Sequence, residues 1–112
     1  MQVVFQSRHP NAQEWAELSE QRVRFALRRL RQWVRRAEVQ MSDTNGPRGG
    51  VDKLCAVEII TDGAQPIVVK TLARDWRTAL DAALARVVRA LTRMWQRQHR
   101  PQRLGRANPS PD

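Results

Sequence analysis

Three runs of period-two alternation in the middle of the sequence constrain its fold more than any other feature. Ala37 to Ser42 alternates strictly, with Ala37, Val39 and Met41 on one side and Glu38, Gln40 and Ser42 on the other. Val51 to Thr61 places Cys55, Val57 and Ile59 on the matching side. Pro66 to Ala73 does the same with Ile67, Val69 and Thr71. Successive side chains of a strand point to opposite faces, so each run reads as a strand with one buried face. A sheet that is apolar on one face needs a second layer to cover it.

Two stretches of helical periodicity supply that layer. From Ala12 to Val34, the spacing predicts a helix with Trp15, Ala26, Leu30 and Trp33 on one side. Arg24, Arg28, Arg31 and Arg35 fall on the opposite side. Asn11 is placed to cap this helix. From Trp76 to Gln98, a second helix carries Trp76, Leu80, Leu84, Val87, Leu91 and Met94 as its apolar stripe. Asp75 is its expected N-cap, and Pro101 ends it. Arg86, Arg89, Arg93, Arg97 and Arg100 recur on its far side within an arc of about 80°.

Met1 to Ser7 reads as a further strand, Asp43 to Gly50 as a loop, and Asp62-Gly63 as a tight hairpin turn. The expected class is α+β, ordered β-α-β-β-β-α. The expected form is a two-layer sandwich of a four-stranded sheet with two parallel helices on one face. A right-handed crossover makes the first two strands parallel neighbours, and the remaining strands form an antiparallel meander. Residues 1–98 form this domain, and residues 99–112, polar and rich in proline, read as a disordered basic tail.

The charge is segregated. The chain carries 20 bases against 11 acids, a net charge of +9. Residues 21–36 and residues 85–111 are rich in arginine and hold no acid. A solvated helix face normally carries acid–base pairs three or four residues apart, and these stripes carry none in sequence. Clustered guanidinium groups suit phosphate oxygens and stack on exposed bases, so the partner expected is a nucleic acid. Arg48 and Lys53, in and beside the loop, are candidates for further contacts to RNA.

Other chemistry finds little support. One cysteine excludes an internal disulfide framework, and Cys55 on a strand reads as a small core residue. His9 and His99 lie far from it and from each other in sequence. Gly49-Gly50 precedes a strand and not a helix, so it is not a phosphate-binding loop. No catalytic group, metal, cofactor or small-molecule substrate is expected. No apolar run approaches the ~20 residues that span a bilayer, and the N-terminus lacks the features of a signal peptide. The expected location is the cytoplasm. Trp15, Trp33 and Trp76 lie on apolar faces and read as core, whereas Trp95 sits at the edge of its stripe.

The second sheet face is the remaining oddity. Val4, Ala56, Ile60, Val68 and Leu72 would all point away from the helices. Two readings stand: a partner surface, including a homodimer through the sheet face or strand edge, and a slipped register in the last strand.

Three segments, in the correct order, resemble the ribosome hibernation-promoting factor family of ribosome-associated translation inhibitors (RaiA). Arg74-Asp75-Trp76-Arg77-Thr78-Ala79-Leu80-Asp81 resembles the opening of the family's last helix, with Trp76 and Arg77 where Met and Tyr are common. Arg86, Arg89 and Arg93 fall where the family keeps basic residues. Arg36 to Asp43 resembles the second strand, and Ser42 to Glu58 is like one subgroup of short members. The resemblance implies a fold like that of a double-stranded RNA-binding domain. It implies binding to small-subunit rRNA in the decoding region, and a stress response in which translation is silenced. The ribosome-pairing domain of long members is not implied. A general RNA-binding or regulatory module not confined to ribosomes is the alternative.

Overall fold

A computed structural model describes residues 1–7, 10–44 and 51–99 of the chain. The elements are β1 (Gln2–Ser7), a 3₁₀ turn (Pro10–Trp15), α1 (Ala16–Ala26), β2 (Val34–Asp43), β3 (Lys53–Thr61), β4 (Ile67–Ala73) and α2 (Trp76–Gln98). The sheet runs β1-β2-β3-β4. β1 and β2 are parallel, with Gln2 level with Arg36; β2–β3 and β3–β4 are antiparallel. This is the expected α+β arrangement.

The alternation places the core. Ala37, Val39, Met41, Cys55, Val57 and Ile59 are buried in one cluster with Val23 and Leu27 of the α1 region. Ala79, Leu80, Ala83, Leu84, Val87 and Leu91 of α2 complete it. Both helices therefore cover the same sheet face. Trp76 is buried, and Trp15 and Trp33 pack against the core's margin, as their apolar positions require.

The first helix is much shorter than its periodicity suggests. α1 ends at Ala26, and residues 27–33 continue as turns. Leu30 N–H donates to the Leu27 carbonyl at 3.0 Å, and Trp33 N–H donates to the Leu30 carbonyl at 2.9 Å. These i→i+3 turns keep Leu27, Leu30 and Trp33 on the core side at a spacing of three. In sequence, that spacing mimics a continued helix. Length explains the break. A helix from Ala12 to Val34 would extend ~35 Å at 1.5 Å per residue. The six-residue β1 that it must retrace spans only ~20 Å. Stopping early brings β2 back level with Gln2. Asn11 accordingly does not cap α1, whose N-cap position is Trp15 with no side-chain hydrogen bond.

The second helix matches its expected bounds. Asp75 accepts from the Thr78 N–H at 2.7 Å, and the Thr78 hydroxyl donates back at 3.1 Å. The backbone N–H of Thr78, then its hydroxyl, hold the Asp75 carboxyl below the usual range. The β3–β4 connection is longer than a tight turn, with residues 62–66 lying between the strands. Gly63 takes φ +76°, a left-handed conformation that glycine adopts without strain.

The last strand is not slipped. Glu58 pairs with Val68, Ala56 with Lys70 and Leu54 with Leu72. Val68 and Leu72 are 57% and 53% exposed on the uncovered face, beside half-buried Leu54, Ala56 and Ile60. The slipped-register reading is therefore wrong, and the apolar half of the open face is real.

Candidate nucleic-acid interface

The arginines divide into two groups by what their guanidinium groups touch. Arg86, Arg89, Arg93 and Arg97 all lie in α2 and are all exposed. Among the described residues, none of the four takes part in a side-chain hydrogen bond or ion pair. The buried stripe from Trp76 to Leu91 fixes the helix's rotation and turns this arc outward. The arc thus presents four unpaired positive charges to solvent on one helix. Arg100, the fifth expected member, lies outside the described residues.

The first arginine set is not one stripe. Arg24 is helical, Arg28 and Arg31 lie in the turns after α1, and Arg35 is on β2. Most of this block is occupied within the protein. Arg24 pairs with Glu20 at 3.0 Å and donates to the Met1 carbonyl at 3.3 Å, so it faces the β1 flank. Arg28 donates to the Phe25 carbonyl at 2.7 Å and lies over the Phe25 ring. Arg35 sits 3.5 Å from Asp62, and Arg36 sits 3.4 Å from Glu38. Arg22 bridges the helices through Asp81 at 2.8 Å. The expected absence of acidic partners therefore fails for this block, because the partners come from one turn earlier and from distant segments.

Arg29 and Arg31 are the exceptions. Both are exposed, and neither has a side-chain partner among the described residues. Arg29 is absent from the sequence-derived set because a continuous helix would turn it off the stripe. The turns instead place it beside Arg31. Together with Arg28, Leu30, Gln32 and Trp33, they wall a groove of about 570 Å³ whose other side is Trp95 and His99.

Lys53, the other candidate beside the loop, is paired within the protein. Its ammonium donates to Asp52 at 3.0 Å and Asp43 at 3.1 Å, and it lies 5.4 Å from the centre of the Trp76 ring. Those hydrogen bonds, to Asp52 first and then Asp43, raise its pKa above the ordinary lysine value. The cluster fastens the open ends of β2 and β3 under the start of α2, where Trp76 Nε1 donates to the Ser42 carbonyl. Arg48 lies outside the described residues. Cys55 is fully buried, and burial pushes its thiol up to about 12, as suits a core residue. Among the described residues, no group of acids, histidines and cysteine is arranged to hold a metal ion. Among them too, no helix is long and apolar enough to cross a membrane.

No family model matches the sequence. No curated protein matches it either. Solved structures do match the fold. A ribosomal subunit interface protein from Coxiella burnetii superposes with a TM-score of 0.63 at 14% identity, over 84% of this chain and 97% of that one. The N-terminal domain of Protein Y from Thermus thermophilus superposes with a TM-score of 0.58 at 16% identity, over 84% of this chain and 99% of that one. The β-α-β-β-β-α sandwich expected from the sequence is the fold of these two proteins, across nearly their whole length.

Proposed function

We propose that this protein is a ribosome-associated factor that binds small-subunit rRNA near the decoding region and inhibits translation. The observation that carries the reading is the α2 arc, where Arg86, Arg89, Arg93 and Arg97 are exposed and unpaired on one rigid helix. Such an arc binds phosphate without a folding cost of its own, because α2 is already held by the core. The likeness in fold to a protein described as a ribosomal subunit interface protein supports the choice of the ribosome over other RNA. In this reading the protein acts in the cytoplasm, as part of a stress response, by occupying RNA and not by catalysis. Cofactors, membranes and small-molecule substrates have no part in it.

Sucrose-gradient sedimentation of a stationary-phase lysate tests the proposal. The protein should co-migrate with small subunits or single ribosomes, and the fourfold Arg→Ala variant of the arc should stay at the top. Wild-type protein that stays at the top yet binds RNA oligonucleotides would instead support a general RNA-binding module.

A further inference from the structure

We propose that the groove between the α1–β2 turns and the end of α2 is a stacking site for one unpaired RNA nucleotide. This rests on the reading of the protein as an RNA binder but adds a recognition mode that the arginine arc lacks. Trp95 is exposed, and its ring lies parallel to that of His99, with centroids 4.5 Å apart and planes 13° apart. Trp33 meets the same imidazole edge-on at 5.9 Å. The imidazole is held in place: His99 Nδ1 donates to the Trp95 carbonyl at 3.0 Å, and the His99 backbone N–H donates to the same oxygen at 2.8 Å. The result is a short ladder of rings, already assembled and partly open to solvent.

Across the groove stand Arg29 and Arg31, exposed and without side-chain partners among the described residues. Among the described residues, no acid lines the groove. The combination of an aromatic platform and free guanidinium groups matches one ligand chemistry. A base extends the ring stack, and its flanking phosphates meet the arginines. Duplex RNA does not fit the arrangement, because its bases are already stacked on one another. The arc of α2 reads phosphate in any RNA; this groove requires a base free of its helix.

Equilibrium binding to a single-stranded oligouridylate, to the same ribose-phosphate chain lacking its bases, and to an RNA duplex separates the two surfaces. The wild-type protein should bind the base-bearing strand more tightly than the abasic one. Trp95→Ala should weaken single-strand binding by roughly tenfold and leave duplex binding unchanged. Trp95→Phe should restore most of the loss. Arg29→Ala with Arg31→Ala should lower the salt slope for the single strand by about one to one and a half units. Trp95 lies near the end of α2 and is 37% exposed, and circular dichroism should show every variant folded at the temperature of the binding assay. If Trp95→Ala binds the oligouridylate as wild type does, or if the abasic strand binds equally well, the stacking site is wrong. In either case the arc is untouched, since its own test is the fourfold variant on ribosomes.

Discussion

Residues 21–36 and the α2 arginines look alike in sequence and differ in the fold. Each is a run of arginines without acids, at helical spacing. In the first block, Arg22, Arg24, Arg28, Arg35 and Arg36 are drawn to Asp81, Glu20, the Phe25 carbonyl, Asp62 and Glu38. In α2, Arg86, Arg89, Arg93 and Arg97 have no such partners among the described residues. The difference follows from where each block sits. The first lies where the chain crosses from α1 to β2, within reach of the β1 edge, the β3–β4 turn and α2. The second lies on the solvent side of a helix whose other side is the core. Arginine density therefore measures affinity for polyanions poorly until internal partners are subtracted.

The sharpest way to break this comparison is to remove each block and measure ribosome binding. Replacing Arg86, Arg89, Arg93 and Arg97 by alanine should cost on the order of a hundredfold or more in affinity at low salt. It should also reduce the slope of log affinity against log salt by roughly three to four units, at about 0.7–0.9 per phosphate contact. Replacing Arg24, Arg28 and Arg35 should change that slope by less than one unit. Equal losses from the two variants would mean that the internal pairs open on binding. Circular dichroism should show both variants folded, because every replaced side chain is exposed.

A second measurement asks what the arc blocks. If α2 lies in the path of mRNA and tRNA, inhibition should be competitive with them. Initiation complexes formed before the protein is added to a reconstituted translation system should resist inhibition several-fold better than naive small subunits. Equal inhibition of both would place the arc elsewhere on the ribosome.

Lys53 sharpens the comparison from the other side, as a base wholly committed to the fold. Its folded pKa is raised by hydrogen bonds to Asp52 and Asp43. Its contribution to stability is therefore complete below the unfolded value of ~10.4 and is lost as pH rises through the higher folded value. Urea unfolding of the wild type should show stability falling across that alkaline window. Lys53→Met should be less stable at neutral pH, because it leaves the buried Asp52 carboxylate uncompensated. It should also lose the alkaline decline that Lys53 causes, and bind ribosomes as wild type does once folded. A large binding defect in folded Lys53→Met protein would return Lys53 to the interface.

Much of the fold was legible because its signals are local and redundant. Alternation at Ala37, Val39 and Met41, and again at Cys55, Val57 and Ile59, fixes both strand and face. The Asp75 cap and the apolar stripe from Trp76 agree on where α2 starts. The end of α1 was not legible, because Leu27, Leu30 and Trp33 keep a spacing of three that helix and successive turns share. Only the length of β1 decides between them, and that is a constraint between elements. The candidate site inherits this error. Arg28, Arg31 and Arg35 were grouped by a helix that stops before them, and Arg29 was passed over for the same reason. Partners such as Asp81 for Arg22, 59 positions away, leave no mark in local sequence. The α2 arc was legible because its one determinant, the helix's rotation, is set by residues within the helix itself.

The smallest expected effect concerns Arg22 and Asp81, the pair that joins the helices. Their 2.8 Å contact is partly solvated, with side chains 30% and 46% exposed. Exposed ion pairs contribute only about 0–1 kcal/mol, and salt screens them. Arg22→Ala and Asp81→Ala should each lower stability slightly in urea unfolding. The double variant should lose less than the sum, giving a coupling energy of a few tenths of a kcal/mol at low salt that shrinks as salt rises. In ribosome binding, Arg22→Ala should leave the salt slope unchanged, because its charge is already spent on Asp81. Asp81→Ala is the more revealing half of the cycle. It frees Arg22 and removes an acid from α2, so ribosome affinity should rise modestly and the salt slope should steepen by up to one unit. A gain in affinity on removing an internal acid would show that arginines of the first block are withheld from RNA by their partners. No change in the slope on removing Asp81 would mean that Arg22 is out of reach of the RNA whatever it is paired with.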